Sequence, residues 1–139
     1  MMIGLLVCIM VATPQEEALL KELEKMLGTP YRWGTTDCSG VISIAARRAG
    51  LVVRRTTTRR MYQEWPKVEA RRGTAPIFSH GKGPAHVGVW ILAGKAFIHS
   101  SSSRGVMVSD EQSNIEWWRP RILSSHQIPI EVPHRMGYK

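Results

Sequence analysis

Cys38 sits among residues that suit chemistry better than packing. It lies in Asp37-Cys38-Ser39-Gly40, a polar run of small residues. The same stretch reads as the start of a helix, where unpaired backbone N–H groups and the helix dipole stabilise negative charge. That setting lowers a thiol pKa and favours the thiolate, the form that attacks a carbonyl carbon. The alternative is a buried structural cysteine, a common core residue. Asp, Ser and Gly neighbours fit an apolar core poorly.

A thiol nucleophile needs a base that later acts as an acid, usually histidine. Of five histidines, His86 opens the run His86-Val87-Gly88-Val89-Trp90-Ile91, and His99 lies in Phe97-Ile98-His99-Ser100. A two-residue turn at Ala93-Gly94 would set Leu92 against Lys95 and position 86 against 101. His99 then becomes the diagonal neighbour of His86 on one sheet face, about 7–8 Å away, which two imidazoles can bridge. A slip of one residue would put the rings on opposite faces. His86 is thus the expected base and His99 the group that fixes its tautomer. His80, in the glycine-rich loop Ser79-His80-Gly81-Lys82-Gly83, is the rival base; His126 and His134 lie in the tail. The Cys38 backbone N–H is a candidate oxyanion donor. Tyr31 could add its hydroxyl, or be a packed loop aromatic.

These residues need elements to hold them. Thr13-Pro14-Gln15-Glu16 reads as a helix start, with Thr13 as N-cap, Pro14 at the first position and Glu16 closing a capping box. Leu19, Leu20, Leu23, Met26 and Leu27 follow at helical spacing, and Gly28 with Pro30 ends the run. A loop leads to a second helix, Cys38–Ala49, capped by Thr36 or Asp37 and ended by Gly50. Thr57–Trp65 reads as a short helix closed by Pro66. After Gly73 the period becomes two: Ala75–Ser79, His86–Leu92, Ala96–Ser100 and Gly105–Val108 read as strands. Trp117–Leu123 is a candidate last strand, and 124–139 an irregular tail. Helices followed by strands predict an α+β domain over residues 13–123.

The chain has 139 residues, 43% of them apolar and 22% charged. That suits one globular domain and excludes a disordered acidic tail, a coiled coil and a multi-pass membrane protein. Nineteen Lys and Arg against eleven Asp and Glu give a net charge of +8. Such a field favours acidic partners. No zinc-finger, homeodomain or RNP-type motif accompanies it, so nucleic acid is not the expected partner. Cys8 and Cys38 make no disulfide framework, and no four-ligand zinc spacing exists. Residues Ile3–Ala12 carry no charge. The stretch is too short to span a bilayer and matches a signal-peptide core in length, though no Lys or Arg precedes it. Export is the expectation; a buried N-terminal segment is the alternative.

Leu27-Gly28-Thr29-Pro30-Tyr31-Arg32-Trp33-Gly34-Thr35-Thr36-Asp37-Cys38-Ser39-Gly40 resembles the nucleophile segment of the NlpC/p-sixty family of papain-like cell-wall cysteine peptidases. His86-Val87-Gly88-Val89 resembles that family's base strand, and Gly94–Ser100 the next strand with its polar third residue. Arg55-Thr56-Thr57 resembles the Arg-Thr-Ser stretch after the second helix, and Ile115–Leu123 the closing strand. The sequence departs from the pattern at Thr35, where a second glycine is usual, and at Gly73-Thr74-Ala75, where Pro-Gly-Asp is usual.

The resemblance implies a papain-like core, with the nucleophile helix on a central antiparallel sheet. By position it implies Cys38, His86 and His99 as the triad, Tyr31 at the oxyanion site, and Asp37 and Ser39 beside the nucleophile binding the stem peptide. It implies hydrolysis of peptidoglycan stem amides, between γ-linked D-Glu and a diamino acid, without metal or cofactor. An N-acetylmuramoyl-alanine amidase and a non-catalytic wall-binding module are the alternatives. The expected setting is the periplasm or cell envelope, with a phage particle or the cytoplasm as alternatives, and the expected state is a monomer.

Overall fold

The computed structural model describes residues 11–133. Most of the apolar opening, Cys8 and His134 lie outside the described residues. The first helix, α1 (Pro14–Lys25), starts as its sequence predicts. Glu16 N donates to Thr13 Oγ1 at 3.1 Å, and Thr13 N donates to Glu16 Oε1 at 2.9 Å, closing the capping box. Leu19, Leu20, Leu23 and Met26 are buried, whereas Leu27, beyond the helix, is half exposed. The second helix, α2 (Gly40–Arg48), begins two residues after Cys38, later than expected. The third, α3 (Thr58–Glu64), is capped by Thr57.

Seven strands follow among the described residues: β1 (Lys67–Val68), β2 (Ala75–Ser79), β3 (Pro84–Val87), β4 (Val89–Leu92), β5 (Ala96–Ser101), β6 (Gly105–Asp110) and β7 (Ile122–His126). They pair antiparallel in the orders β1-β7-β2-β3 and β4-β5-β6. The expected single strand His86–Leu92 is broken at Gly88. A Cβ there would sit 2.6 Å from Phe97 Cδ2 and 3.0 Å from the Ile98 carbonyl oxygen. The chain passes β5 too closely for any side chain, so it bends there from one sheet to the other.

Alternation sorts side chains to two cores. Ile77, Val87, Val89 and Ile98 face α1 and α2, packing on Leu20, Leu23, Val41, Ile42 and Ala45. Phe78, Trp90 and Phe97 face the other way, onto Ile115 and Trp118. His86 and His99 neighbour Val87 and Ile98 in sequence, so they join this second, aromatic face.

Three expectations are corrected. Trp117–Leu123 is not a strand: α4 (Ile115–Trp118) and a 3₁₀ turn (Arg119–Arg121) precede β7. Burial of Ile115 and Trp118 in the aromatic core overrides the strand preference of the tryptophans. Ser124–His126, expected in the irregular tail, continue β7 between β1 and β2. Leu92 pairs with Ala96, not Lys95, because a register shift after Trp90 makes the turn three residues long. No helix among the described residues is long and apolar enough to cross a membrane.

Gly88→Ala should destabilise the fold by about 1–3 kcal/mol, since the fully buried Phe97 cannot retreat. A melting curve checks this; unchanged stability would show that the sheets tolerate a wider crossing.

Candidate active site

The loop before Cys38 is pinned to the sheet at several points. Gly28 N donates to the Val106 carbonyl and Val106 N to the Thr29 carbonyl, both at 2.9 Å. Ser100 Oγ donates to the Thr36 carbonyl at 2.6 Å. Asp37 then ties the turn itself. Its carboxylate accepts from Gly34 N and Gly40 N, each at 2.8 Å. Arg55 Nη2 donates to both its oxygens, at 3.0 and 3.1 Å, and Ser39 Oγ lies 3.3 Å from Oδ1. A Cβ at Gly40 would fall 1.8 Å from the Thr35 carbonyl oxygen, so only glycine fits. The Asp-Cys-Ser-Gly run therefore has a mechanical logic: Asp holds the turn, Gly lets it close, and Cys is presented between them.

Cys38 is partly exposed and packs against the helix-side core, with Sγ 3.8 Å from Thr58 Oγ1. β3 is an edge strand, and its Val87 packs in the same helix-side core that Cys38 joins. Burial pushes the thiol above its ordinary pKa; the Thr58 hydroxyl and the Val87 backbone pull it down, the Asp37 charge pushes it up, and the Ser39 backbone pulls it down. The lowered value expected from the helix start is thus overturned, because enclosure outweighs the donors.

The two histidines meet as the sequence predicts, by a different route. His86 pairs with Phe78 in β3–β2, while His99 belongs to β5 in the other sheet. The bend at Gly88 brings them together: His86 Nε2 lies 2.7 Å from His99 Nδ1. His99 Nε2 lies 2.8 Å from Ser109 Oγ on β6. Ser109 pairs with Phe97, two residues from His99, so it is a diagonal neighbour on the same face. Trp118 stacks on His86, with ring centroids 4.6 Å apart and planes 22° off parallel. Burial, then the charges of His99 and His80, hold His86 well below the ordinary imidazole range. Burial alone holds His99 down to about 3. Both rings are neutral near pH 7. Nε2 of His86 is engaged by His99, so Nδ1 is the ring nitrogen left for a substrate or thiol.

A cleft runs past Cys38 in two arms. One, of about 580 Å³, is lined by Trp33, Asp37, Ser39, Arg55, Thr58 and Arg59 among others. The other, of about 500 Å³, is lined by His80, His86, Ser102, Asn114, Trp117 and Trp118 among others. Tyr31, Cys38 and Ala85 line both. Burial raises the Tyr31 phenol, as do the Cys38 and Asp37 charges, so it stays a hydroxyl donor. A further cavity at Arg54, Arg60 and Glu64 contains neither Cys38 nor a histidine.

All six residues singled out in the sequence therefore border one cleft or stand directly behind it. His80 lies in the His86 arm, edge-on to Trp117 at 5.8 Å. His126 stands apart: it is fully buried and bonded to the Trp65 carbonyl and Ser124. Ser109, Thr58 and Trp118 escaped sequence reasoning, since only the pairing of distant segments brings them in. Among the described residues, no group of three or more His, Cys, Asp or Glu could hold a metal ion.

The model of the NlpC/P60 family matches residues 28–126, which contain Cys38, His86 and His99. The chain belongs to the NlpC/P60 family. Among relatives, it is 30% identical over 123 residues to the bifunctional muramidase/DL-endopeptidase CwlT of Bacillus subtilis, covering 81% of this chain and 36% of that protein. It is 31% identical to the probable peptidoglycan endopeptidase LytE of the same organism, over 77% of this chain and 33% of that one. The chain thus spans about a third of the length of these relatives. The probable endopeptidase NlpC of Escherichia coli is 33% identical, over 72% of this chain and 73% of that protein. An NlpC/P60 family protein from Bacillus cereus superposes with a TM-score of 0.67 at 25% identity, over 88% of this chain and 42% of that one. The P60 domain of an antigen from Mycobacterium avium subspecies paratuberculosis gives 0.63 at 21%, over 86% and 96%. The α+β, papain-like fold is the one the family shares.

Neutral buried imidazoles link stability to pH. Below about pH 6.5 the unfolded chain protonates these rings and the folded chain does not, so stability falls as pH drops. For His99 the loss continues until pH reaches its folded value of about 3. The slope is about 1.4 kcal/mol per pH unit for each ring. Denaturant titrations between about pH 6.5 and 4 should give a shallower slope for His99→Asn than for wild type. Equal slopes would mean that the ring is charged or solvated in the folded protein.

Proposed function

We propose that this protein is a thiol hydrolase of peptidoglycan stem peptides, cutting the amide between γ-linked D-Glu and a diamino acid. The observation that carries the reading is the hydrogen-bonded series His86, His99, Ser109, whose His86 lines one arm of a two-armed cleft together with Cys38, in a chain whose family relatives include named endopeptidases.

The steps follow from the tautomers. For Nδ1 of His86 to be free to accept, its proton must sit on Nε2 and donate to His99 Nδ1. His99 then carries its own proton on Nε2 and donates to Ser109 Oγ. His86 Nδ1 takes the proton of Cys38 as Sγ attacks the carbonyl carbon. The oxyanion that forms is met by the Cys38 backbone N–H and the Tyr31 hydroxyl. The tetrahedral species collapses, the C–N bond breaks, and His86 gives its proton to the departing amine. Water then attacks the thioester, losing a proton to His86; a carboxylic acid leaves and the thiol is restored. His99 stays uncharged throughout and acts as a fixed acceptor. Asp37 acts by holding the turn, and with Ser39 forms the wall against which the stem peptide lies. These steps run on side chains and water, with no metal or cofactor, in one copy of the chain. The basic surface suits an acidic wall polymer, and we place the action in the cell envelope.

A thiol raised by burial beside an imidazole lowered by burial rests as a neutral pair. The kcat/KM profile should therefore lose activity on the acid side only below about pH 6.5, and on the alkaline side only above about pH 8.5. Alkylation of Cys38 by iodoacetamide should accelerate only above about pH 8.5; a midpoint near pH 4, as for the thiolate of a preformed ion pair, would contradict this.

Digestion of purified peptidoglycan by wild type and Cys38→Ala, read by mass spectrometry, tests the function. Fragments ending at D-Glu, absent with the variant, are the expected result. Fragments freed at the muramic acid lactyl amide would make the protein an amidase. No release from several wall types by folded wild type would leave a binding module.

A further inference from the structure

Because His86 protonates the departing amine, the amine side of the substrate lies in the His86 arm, and the acyl side in the other. That assignment rests on the function proposed above. The acyl arm holds one carboxylate, Asp37, which is buried and already bonded to Arg55, Gly34 and Gly40. It holds two cations. Arg55 is spent on Asp37 and on the Thr35 carbonyl. Arg59 has no hydrogen-bond or ionic partner among the described residues. Its neighbour Arg60 turns to Glu64 at 2.8 Å and leaves it alone. No acidic residue occupies the first turn of α3 to neutralise it. Arg59 directly follows Thr58, whose hydroxyl lies 3.8 Å from the Cys38 sulfur, so its guanidinium can reach an acyl group held on that sulfur.

A D-glutamate linked through its γ-carboxyl keeps its α-carboxyl free. That group sits a few bonds from the scissile carbonyl and is an anion near pH 7, unless it is amidated to a neutral carboxamide. We propose that Arg59 is a specificity residue that pairs with this α-carboxylate, so that the enzyme prefers stems with free D-isoglutamate over stems with D-isoglutamine. Arg suits the task because its planar fork matches a carboxylate.

The test uses two synthetic peptides, L-Ala-γ-D-Glu-diamino acid with the D-Glu α-carboxyl free or amidated, and wild type, Cys38→Ala, Arg59→Gln and Arg59→Lys. Wild type should cleave the free acid with a kcat/KM about fivefold higher, the scale of an exposed ion pair. The difference should lie in KM and shrink with added salt. Arg59→Gln should lose the preference, and Arg59→Lys should keep part of it. Cys38-dependent cleavage of both peptides at equal efficiency by wild type would overturn the role of Arg59 and leave the hydrolase standing. So would a preference that survives in Arg59→Gln. Cleavage of neither peptide by folded wild type, or cleavage that persists in Cys38→Ala, would overturn the hydrolase and this inference with it.

Discussion

Two uncharged imidazoles joined by one hydrogen bond, His86 Nε2 to His99 Nδ1 at 2.7 Å, make the strictest demand on this fold. Such a bond forms only if one ring donates and the other accepts, so a proton on both facing nitrogens would break it. Burial keeps the rings neutral, and burial on the aromatic face requires Phe78, Phe97 and Trp118 around them. The rings come from different sheets, so the sheets must meet closely. Gly88 permits that approach. Ser109 takes the far nitrogen of His99 and completes the chain of donors. In the proposed mechanism the result is an oriented base whose supporting ring never charges.

Cys38, the proposed nucleophile, is set from the opposite side of the same strand. Asp37 gathers Gly34, Gly40 and Arg55, and the turn it closes delivers Cys38 to the open edge of β3. Val87 thus packs its side chain in the helix-side core that Cys38 joins, while adjacent His86 faces the aromatic side. Period-two alternation at an edge strand is what lets a thiol and an imidazole from different layers share one cleft.

Much of this was legible in the sequence where the cause is local. Thr13, Pro14 and Glu16 announce α1 because capping needs only neighbours a turn away. Asp37-Cys38-Ser39-Gly40 announces the turn that presents Cys38, and the spacing of His86 and His99 announces that their rings meet. The hairpin register at Val89 and Trp90 is also as the turn predicted. What failed depends on distant contacts. The thiol shift has the opposite sign because enclosure by Thr58 and β3 is not written near Cys38. The strand expected at Trp117–Leu123 became helical because Trp118 fills the space over His86. Ser109 is an ordinary strand serine until β6 pairs with β5.

In the proposed mechanism a thioester forms on Cys38, and trapping that species is the most direct test. Wild type mixed with a stem-peptide substrate, quenched in acid within the first turnover and digested, should carry the acyl half of the substrate on the Cys38 peptide by mass spectrometry. Cleavage of the substrate with Cys38 never modified, and with Cys38→Ser fully active, would contradict it.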